Sequence, residues 1–289
     1  MNGIILIDKP EGWTSHDVVA KLRGILGERR IGHSGTLDPM ATGLLVVFVG
    51  RATRAVEFAE SHEKEYIAGI RSGITTDTQD ISGNILKTSD HLFSKEELSA
   101  VLPEFTGQIR QLPPMYSAIK IHGQKLCNLA RNGVEVERES RPVTIKSLEI
   151  AGESGGDYIL HVVCSKGTYV RTLCHDIGER IGTGATLSSL RRITAGRYSV
   201  DDAHTIDEIR EFSEKGELEK VLLPVDSLFN EFPKLIVSDM QKQKCLCGNS
   251  FELSATDGKY RVYAEDGTFL MLGNVEDEQM LTVKSFFEI

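Results

Sequence analysis

The chain has 289 residues, 40% hydrophobic and 26% charged, with 27 Gly and only 8 Pro. This length can bury a substantial core, and the composition excludes disordered and fibrous classes. A net charge of −9 weighs against a uniformly basic nucleic-acid surface; residues 226–289 hold 11 acidic and 6 basic groups, so local basic patches remain open to the rest.

The N-terminal segment Met1 to Lys9 has a short apolar run and no basic leader, so no signal peptide is expected. The longest later run, Leu44 to Val49, is far below membrane-spanning length, and the chain reads as cytoplasmic with no membrane partner. Five cysteines, Cys127, Cys164, Cys174, Cys245 and Cys247, make an odd, irregular set that fits a reducing compartment. Cys245-Leu-Cys247 lacks a second pair at zinc-ligand spacing, so no metal is expected.

In chain order, Ile4 to Ile7 predicts a strand. A helix follows with the stripe Val18, Val19, Leu22, Ile25 and Leu26, capped by Thr14 or Ser15. The glycine-punctuated segment Gly32 to Gly43 reads as a polar loop against a buried strand, Leu44 to Val49. Glu65 to Arg71 predicts a strand with Tyr66, Ala68 and Ile70 on one face. Ser94 to Glu97 has capping-box form and starts a helix burying Leu98, Val101, Leu102 and Phe105.

Lys120 to Arg141 is polar, with Leu126, Leu129 and Ala130 at helical spacing. Val143 to Ala151 and Asp157 to Cys164 predict a hairpin around Gly152 to Gly156, and Thr168 to Arg171 extends the strand pattern. A helix is predicted from Thr172 to Ile181 on the stripe Leu173, Ile177 and Ile181. Beyond Pro224 the pattern changes to short strands with turns at Asp257-Gly258 and Asp266-Gly267, which places a boundary near residue 230. The fold class is mixed, mainly antiparallel α+β with a small β-rich tail, divided into residues 1–229 and 230–289.

The segment Gly32-His33-Ser34-Gly35-Thr36-Leu37-Asp38-Pro39-Met40-Ala41-Thr42-Gly43 carries the most information. Its glycines permit close backbone approach by a ligand, and Pro39 biases Asp38 toward extended dihedrals. Taken alone, an Asp-Pro pair is more often a structural turn. Here the pattern resembles the tRNA pseudouridine synthase B family, whose signature is a Leu-Asp-Pro core followed by Ala-Thr-Gly and an apolar strand. Further likenesses are Lys64-Glu65-Tyr66, the stretch Gly73 to Gly83, Pro113 to Ala118 with Lys120, Ser165 to Arg171, and Gly184 to Leu187 with Leu190-Arg191-Arg192. They span residues 1 to about 200 in the family's order.

The resemblance implies a pseudouridine-synthase fold with a PUA-like RNA-binding tail. It also implies an isomerase that converts uridine 55 in the tRNA T-loop to pseudouridine without cofactor, metal or guide RNA, and a monomer is expected. It assigns Asp38 as the nucleophile, acting either at the base C6 or at ribose C1′; covalent catalysis by Asp is an established strategy. Tyr66 would stack on the target base and take its C5 proton. Tyr169 and Arg171, two apart on a strand and so on one face, would line the uridine pocket, with Arg171 pairing with Asp38.

Leu190, read as helical, would pack against the base. A stacked uridine must be flipped out to react, and His33 would fill the space it leaves. Lys64, Lys120, Lys125 and Arg131 would contact RNA. Three rivals remain: an RNA-binding protein without catalysis, a guide-RNA-dependent relative, and a sugar hydrolase. The first predicts loss of the acidic residue, the second extra N-terminal sequence and a fuller PUA domain, and the third a pair of carboxylates.

Overall fold

The computed structural model describes residues 1–60, 63–121 and 123–287, apart from the side chains of Glu60 and Lys125. Strand β1 (Gly3–Lys9) carries Ile4 to Ile7 fully inside. It is followed by α1 (Ser15–Leu26), whose N-terminus is closed by a Thr14/Asp17 capping box worth about 1 kcal/mol. Val18, Val19 and Leu22 seal one face of β1. Strand β2 (Ile31–Ser34) pairs with β3 (Thr42–Val49), so the expected Gly32 to Gly43 loop is shorter than read and begins after Ser34.

The chain continues through α2 (Val56–Glu60), β4 (Lys64–Ser72) and a small hairpin, β5 (Ile74–Thr76) and β6 (Ile85–Thr88). Tyr66, Ala68 and Ile70 share the buried face of β4, as the alternation predicts. Next is α3 (Lys95–Val101), whose Ser94/Glu97 capping box is present, then β7 (Gly107–Gln111), the short β8 (Lys120–Ile121) and β9 (Gln124–Lys125), and α4 (Leu126–Arg131). Strands β10 (Arg141–Ser154) and β11 (Asp157–Cys164) form a long hairpin. Its turn is only Gly155-Gly156, at φ 61° and 86°, because two left-handed residues match the twist of the strands they join.

Gly167, at φ 80°, ends the strand pattern, and Tyr169 caps α5 (Val170–Ile181). This corrects the reading of Thr168 to Arg171 as strand: Arg171 lies in the first turn of a helix, where Leu173 and Ile177 are buried as expected. Leu190 is also corrected, from helix to strand, because it lies within β12 (Ala185–Ala195) opposite Ala68 of β4. After β13 (Tyr198–Ser199) comes α6 (Ile206–Glu214), which the periodicity reading omits although a Thr205/Glu208 capping box marks its start.

The main sheet has nine strands, in the order β1-β3-β12-β4-β11-β10-β7, with β2 on β3 and β13 on β12. All its pairings are antiparallel except β3 with β12, where Arg191 faces Thr42 and Arg192 faces Gly43. That junction brings the end of the Asp38 loop against the middle of the sheet.

The tail contains β14 (Lys234–Val237), α7 (Asp239–Cys247), β15 (Phe251–Glu252), β16 (Gly258–Ala264), β17 (Phe269–Glu276) and β18 (Gln279–Ser285). Its sheet runs β14-β16-β17-β18-β15. Helix α7 is a second omission, again with a capping box, Ser238/Gln241. Asp257-Gly258 opens β16 instead of turning a hairpin, whereas Asp277 and Glu278, at φ 50° and 56°, make a turn that no glycine announces. The tail packs on the main body through Phe269 and Phe286 against Phe229, and through Lys284 to Glu57 at 2.6 Å. No described helix is long and apolar enough to cross a membrane.

Candidate active site

Between β2 and β3 the chain crosses in a loop that carries Asp38, and several neighbours fix that loop from below. Ser15, at the start of α1, accepts from Leu37 N at 2.9 Å and donates to Leu37 O at 3.2 Å. The buried Lys9 donates to Pro10 O, Trp13 O and Pro39 O at 2.8, 2.6 and 3.3 Å. Burial lowers its pKa to about 8, with the Asp38 charge acting in the opposite direction. At the far end, Gly43 (φ 94°) leaves no room for a side chain, since a Cβ would lie 2.3 Å from Arg192 O. The loop is therefore specified by glycine where β12 passes and by hydrogen bonds elsewhere.

Asp38 faces Arg171 of α5. Arg171 Nε lies 2.9 Å from Asp38 Oδ2, and Nη2 donates to Oδ1 at 3.2 Å. The same guanidinium donates to Thr78 O at 2.9 Å and Tyr116 O at 2.8 Å, and lies 3.8 Å from Asp80 Oδ2. One arginine thus gathers three otherwise separate segments around one carboxylate. Burial raises the Asp38 pKa above its ordinary value; Arg171 opposes the shift and Asp80 adds to it.

Tyr66 and Leu190 lie in the same apolar cluster as Leu37, from the loop that carries Asp38. Burial raises the Tyr66 pKa, and Arg192 opposes the rise. The Tyr169 backbone is clamped by Gln111, whose Oε1 accepts from Tyr169 N at 2.9 Å and whose Nε2 donates to Tyr169 O at 3.1 Å. Burial also raises the Tyr169 hydroxyl pKa. His33 stands edge-on to His16, with centroids 5.7 Å apart, and desolvation with the nearby His16 and Arg192 lowers its pKa to about 4. It is a neutral ring at physiological pH.

Lys64 is buried beneath the loop, its Cε 3.4 Å from the Cβ position of Gly35. Lys120 and Arg131 are exposed at the two ends of the β8 to α4 segment, and the Lys125 side chain lies outside the described residues. The residues that the sequence reading gave no part are Asp80, Gln111, Lys9 and Arg192. Asp80 was within reach, inside the quoted Gly73 to Gly83 stretch; Gln111 carried no local signal.

Two family models match the sequence that carries this site. One, for the N-terminal domain of the TruB family pseudouridylate synthases, covers residues 23–170, and one for a tRNA pseudouridylate synthase B C-terminal domain covers 171–230. The chain belongs to the TruB family of pseudouridylate synthases.

Relatives carry the likeness along its length. A tRNA pseudouridine synthase B of Clostridium kluyveri is 40% identical over 99% of this chain and 100% of its own. That of Pelotomaculum thermopropionicum is 46% identical over 86% of this chain and 81% of its own. Among solved structures, an H/ACA RNP bound to a substrate RNA containing 2′-deoxyuridine shares the fold at 24% identity and TM-score 0.71, over 99% of this chain and 85% of that one. A Cbf5-Nop10-Gar1 complex aligns at 26% identity and TM-score 0.73, over 99% and 85%. TruB family membership thus accounts for the pseudouridine-synthase fold; residues after 230 lie outside both family models.

Proposed function

We propose that this chain isomerises uridine 55 in the T-loop of tRNA to pseudouridine, and that Asp38 is the nucleophile. The observation that carries the reading is the Asp38 carboxylate held by a buried Arg171 at 2.9 Å. A carboxylate so held stays oriented, and the Arg171 charge favours its ionised form against the burial that opposes it, which suits it to act on the base C6 or on ribose C1′. The target nucleotide must leave its stack; Tyr66, Tyr169 and Leu190 offer it an apolar and aromatic pocket, and the neutral His33 ring suits the vacated position.

After the glycosidic bond breaks, the base rotates and rejoins the sugar through C5. The C5–H bond then breaks, its electron pair forms the C5=C6 bond, the N1=C6 pair returns to N1, and N1 gains a proton from water. Tyr66 is the group we assign to receive the C5 proton. No redox change occurs, so no cofactor is required. Lys120 and Arg131, with Lys125, contact phosphates of the T-arm, while the buried Lys64 supports the loop from within. Residues 1–229 form the catalytic domain and 230–289 a PUA-like RNA-binding domain of a cytoplasmic monomer that works without guide RNA.

The test is to incubate the protein with an unmodified tRNA transcript and to map pseudouridine by carbodiimide adducts and primer extension, with Asp38→Asn as control. A single new stop at uridine 55 that the control lacks is the expected result. Tight tRNA binding without any stop would favour a non-catalytic RNA-binding role.

A further inference from the structure

Arg192 is among the largest fully buried side chains of the protein, with 1% exposure, and the reaction outlined above gives it no part. Its Nε donates to Leu44 O at 2.7 Å, and its Nη2 donates to Gly35 O at 3.0 Å. These carbonyls stand on either side of the loop that carries Asp38, so together they hold the guanidinium in place. Among the described residues, no ion pair with this guanidinium offsets its positive charge. A buried cation is costly to desolvate, which makes such residues rare unless a partner offsets the charge.

The remaining neighbour supplies the reason. Arg192 on β12 and Tyr66 on β4 are directly opposed in the antiparallel register, which sends their side chains to the same face. The Arg192 charge favours ionisation of the Tyr66 hydroxyl, against the burial that disfavours it. A phenol that must accept a proton from carbon has to approach the phenolate form, and a fixed guanidinium beside it stabilises that form in a site where water cannot.

We infer that Arg192 is a positioning residue that acts through Tyr66: held by Gly35 and Leu44, it prepares the Tyr66 oxygen to take the C5 proton of the rejoined base. The inference rests on the proposed role of Tyr66. In the step concerned, the C5–H electron pair forms C5=C6, the N1=C6 pair moves to N1, and the proton passes to the Tyr66 oxygen as the phenol's own proton leaves to water, from which N1 is protonated. A merely structural arginine would instead affect folding or the placement of Asp38, both of which precede loss of the C5 proton.

The experiment compares single-turnover pseudouridine formation on tRNA carrying ordinary or 5-deuterated uridine, for the unsubstituted protein, Arg192→Lys and Arg192→Gln. Circular dichroism and tRNA affinity report on folding. With Arg192→Gln we expect the rate to fall by about tenfold or more, general-base assistance being typically worth about 100-fold or more. A primary isotope effect larger than in the unsubstituted protein should accompany the fall. Arg192→Lys, which keeps the charge, should show a smaller rate loss with a smaller rise in isotope effect, and serves as the folded comparison if the glutamine variant unfolds. A slower rate in a folded variant with an unchanged isotope effect would overturn the inference, as would an unchanged rate. Absence of product from the unsubstituted protein would overturn the proposed function itself and this inference with it.

Discussion

Arg171 Nε lies 2.9 Å from Asp38 Oδ2, yet the arginine side chain is only 5% exposed while the carboxylate is 33% open. The cation is fixed by the protein and the anion faces the solvent from which substrate arrives. On the proposed function, this asymmetry makes the arginine the anchor and the aspartate the reacting group.

Removing the anchor therefore changes both charge and order. In Arg171→Met the Asp38 carboxyl loses the neighbour that lowers its pKa, so the acid limb of the rate against pH moves to higher pH. Thr78 O and Tyr116 O also lose this donor, at a cost of about 1–3 kcal/mol of stability. Single-turnover rates from pH 4 to 8, with urea unfolding alongside, measure the two effects separately; an acid limb that stays in place would dissociate Arg171 from the titration of Asp38.

Asp80 acts with the opposite sign. Its charge raises the Asp38 pKa, so Asp80→Asn should move the acid limb to lower pH while retaining most of the hydrogen-bonding shape of the Thr78 to Ser82 turn. The rate at neutral pH should still fall, because Arg171 loses a carboxylate 3.8 Å away that helps orient it. The same pH series decides the sign.

Gly43→Ala should be among the most damaging small substitutions in the chain. The added Cβ would stand 2.3 Å from a backbone oxygen of β12, and φ is 94°. We expect a loss of at least about 2 kcal/mol, near the upper range of single-site effects, with activity falling alongside. Gly155→Ala has φ 61° and nothing within 4 Å, so it should cost only the left-handed penalty of about 1–2 kcal/mol. Thermal melting of the two variants is the comparison.

His33 gives the protein a pH-dependent stability. Its folded pKa of about 4 is below the ordinary 6.5, so between these values the unfolded chain binds more protons. Stability is retained above 6.5 and declines as pH falls toward 4, by up to about 3 kcal/mol at 1.4 kcal/mol per unit. His33→Phe should flatten this part of the curve of urea midpoint against pH; an equal slope in both proteins would assign the loss to other groups.

Much of the local structure was legible from residue order. Period-two burial at Tyr66, Ala68 and Ile70, the Ser94 capping box and the stripe of α1 are short-range signals, and each occurs as read. Tyr169 and Arg171 show the limit: their spacing suits a strand face, but Gly167 breaks the strand, Tyr169 caps a helix, and the arginine reaches Asp38 from the first helical turn. Helices α6 and α7 escaped a reading based on apolar periodicity, although their caps were written in the sequence.

By itself the sequence determined the loop chemistry of Gly35, Asp38, Pro39 and Gly43, the alternation of the strands and the motifs of its family, because these depend on neighbours a few residues away. Only the tertiary structure decided what surrounds Asp38. Arg171 is 133 residues distant from it in the chain, and Arg192 is 157 from Gly35; both distances are closed by the pairing of β12 with β3 and β4 and by the docking of α5. No local pattern encodes which strand is placed beside which. That choice follows from burying all the apolar faces at once, and it turns a solvent-facing carboxylate into a held and oriented one.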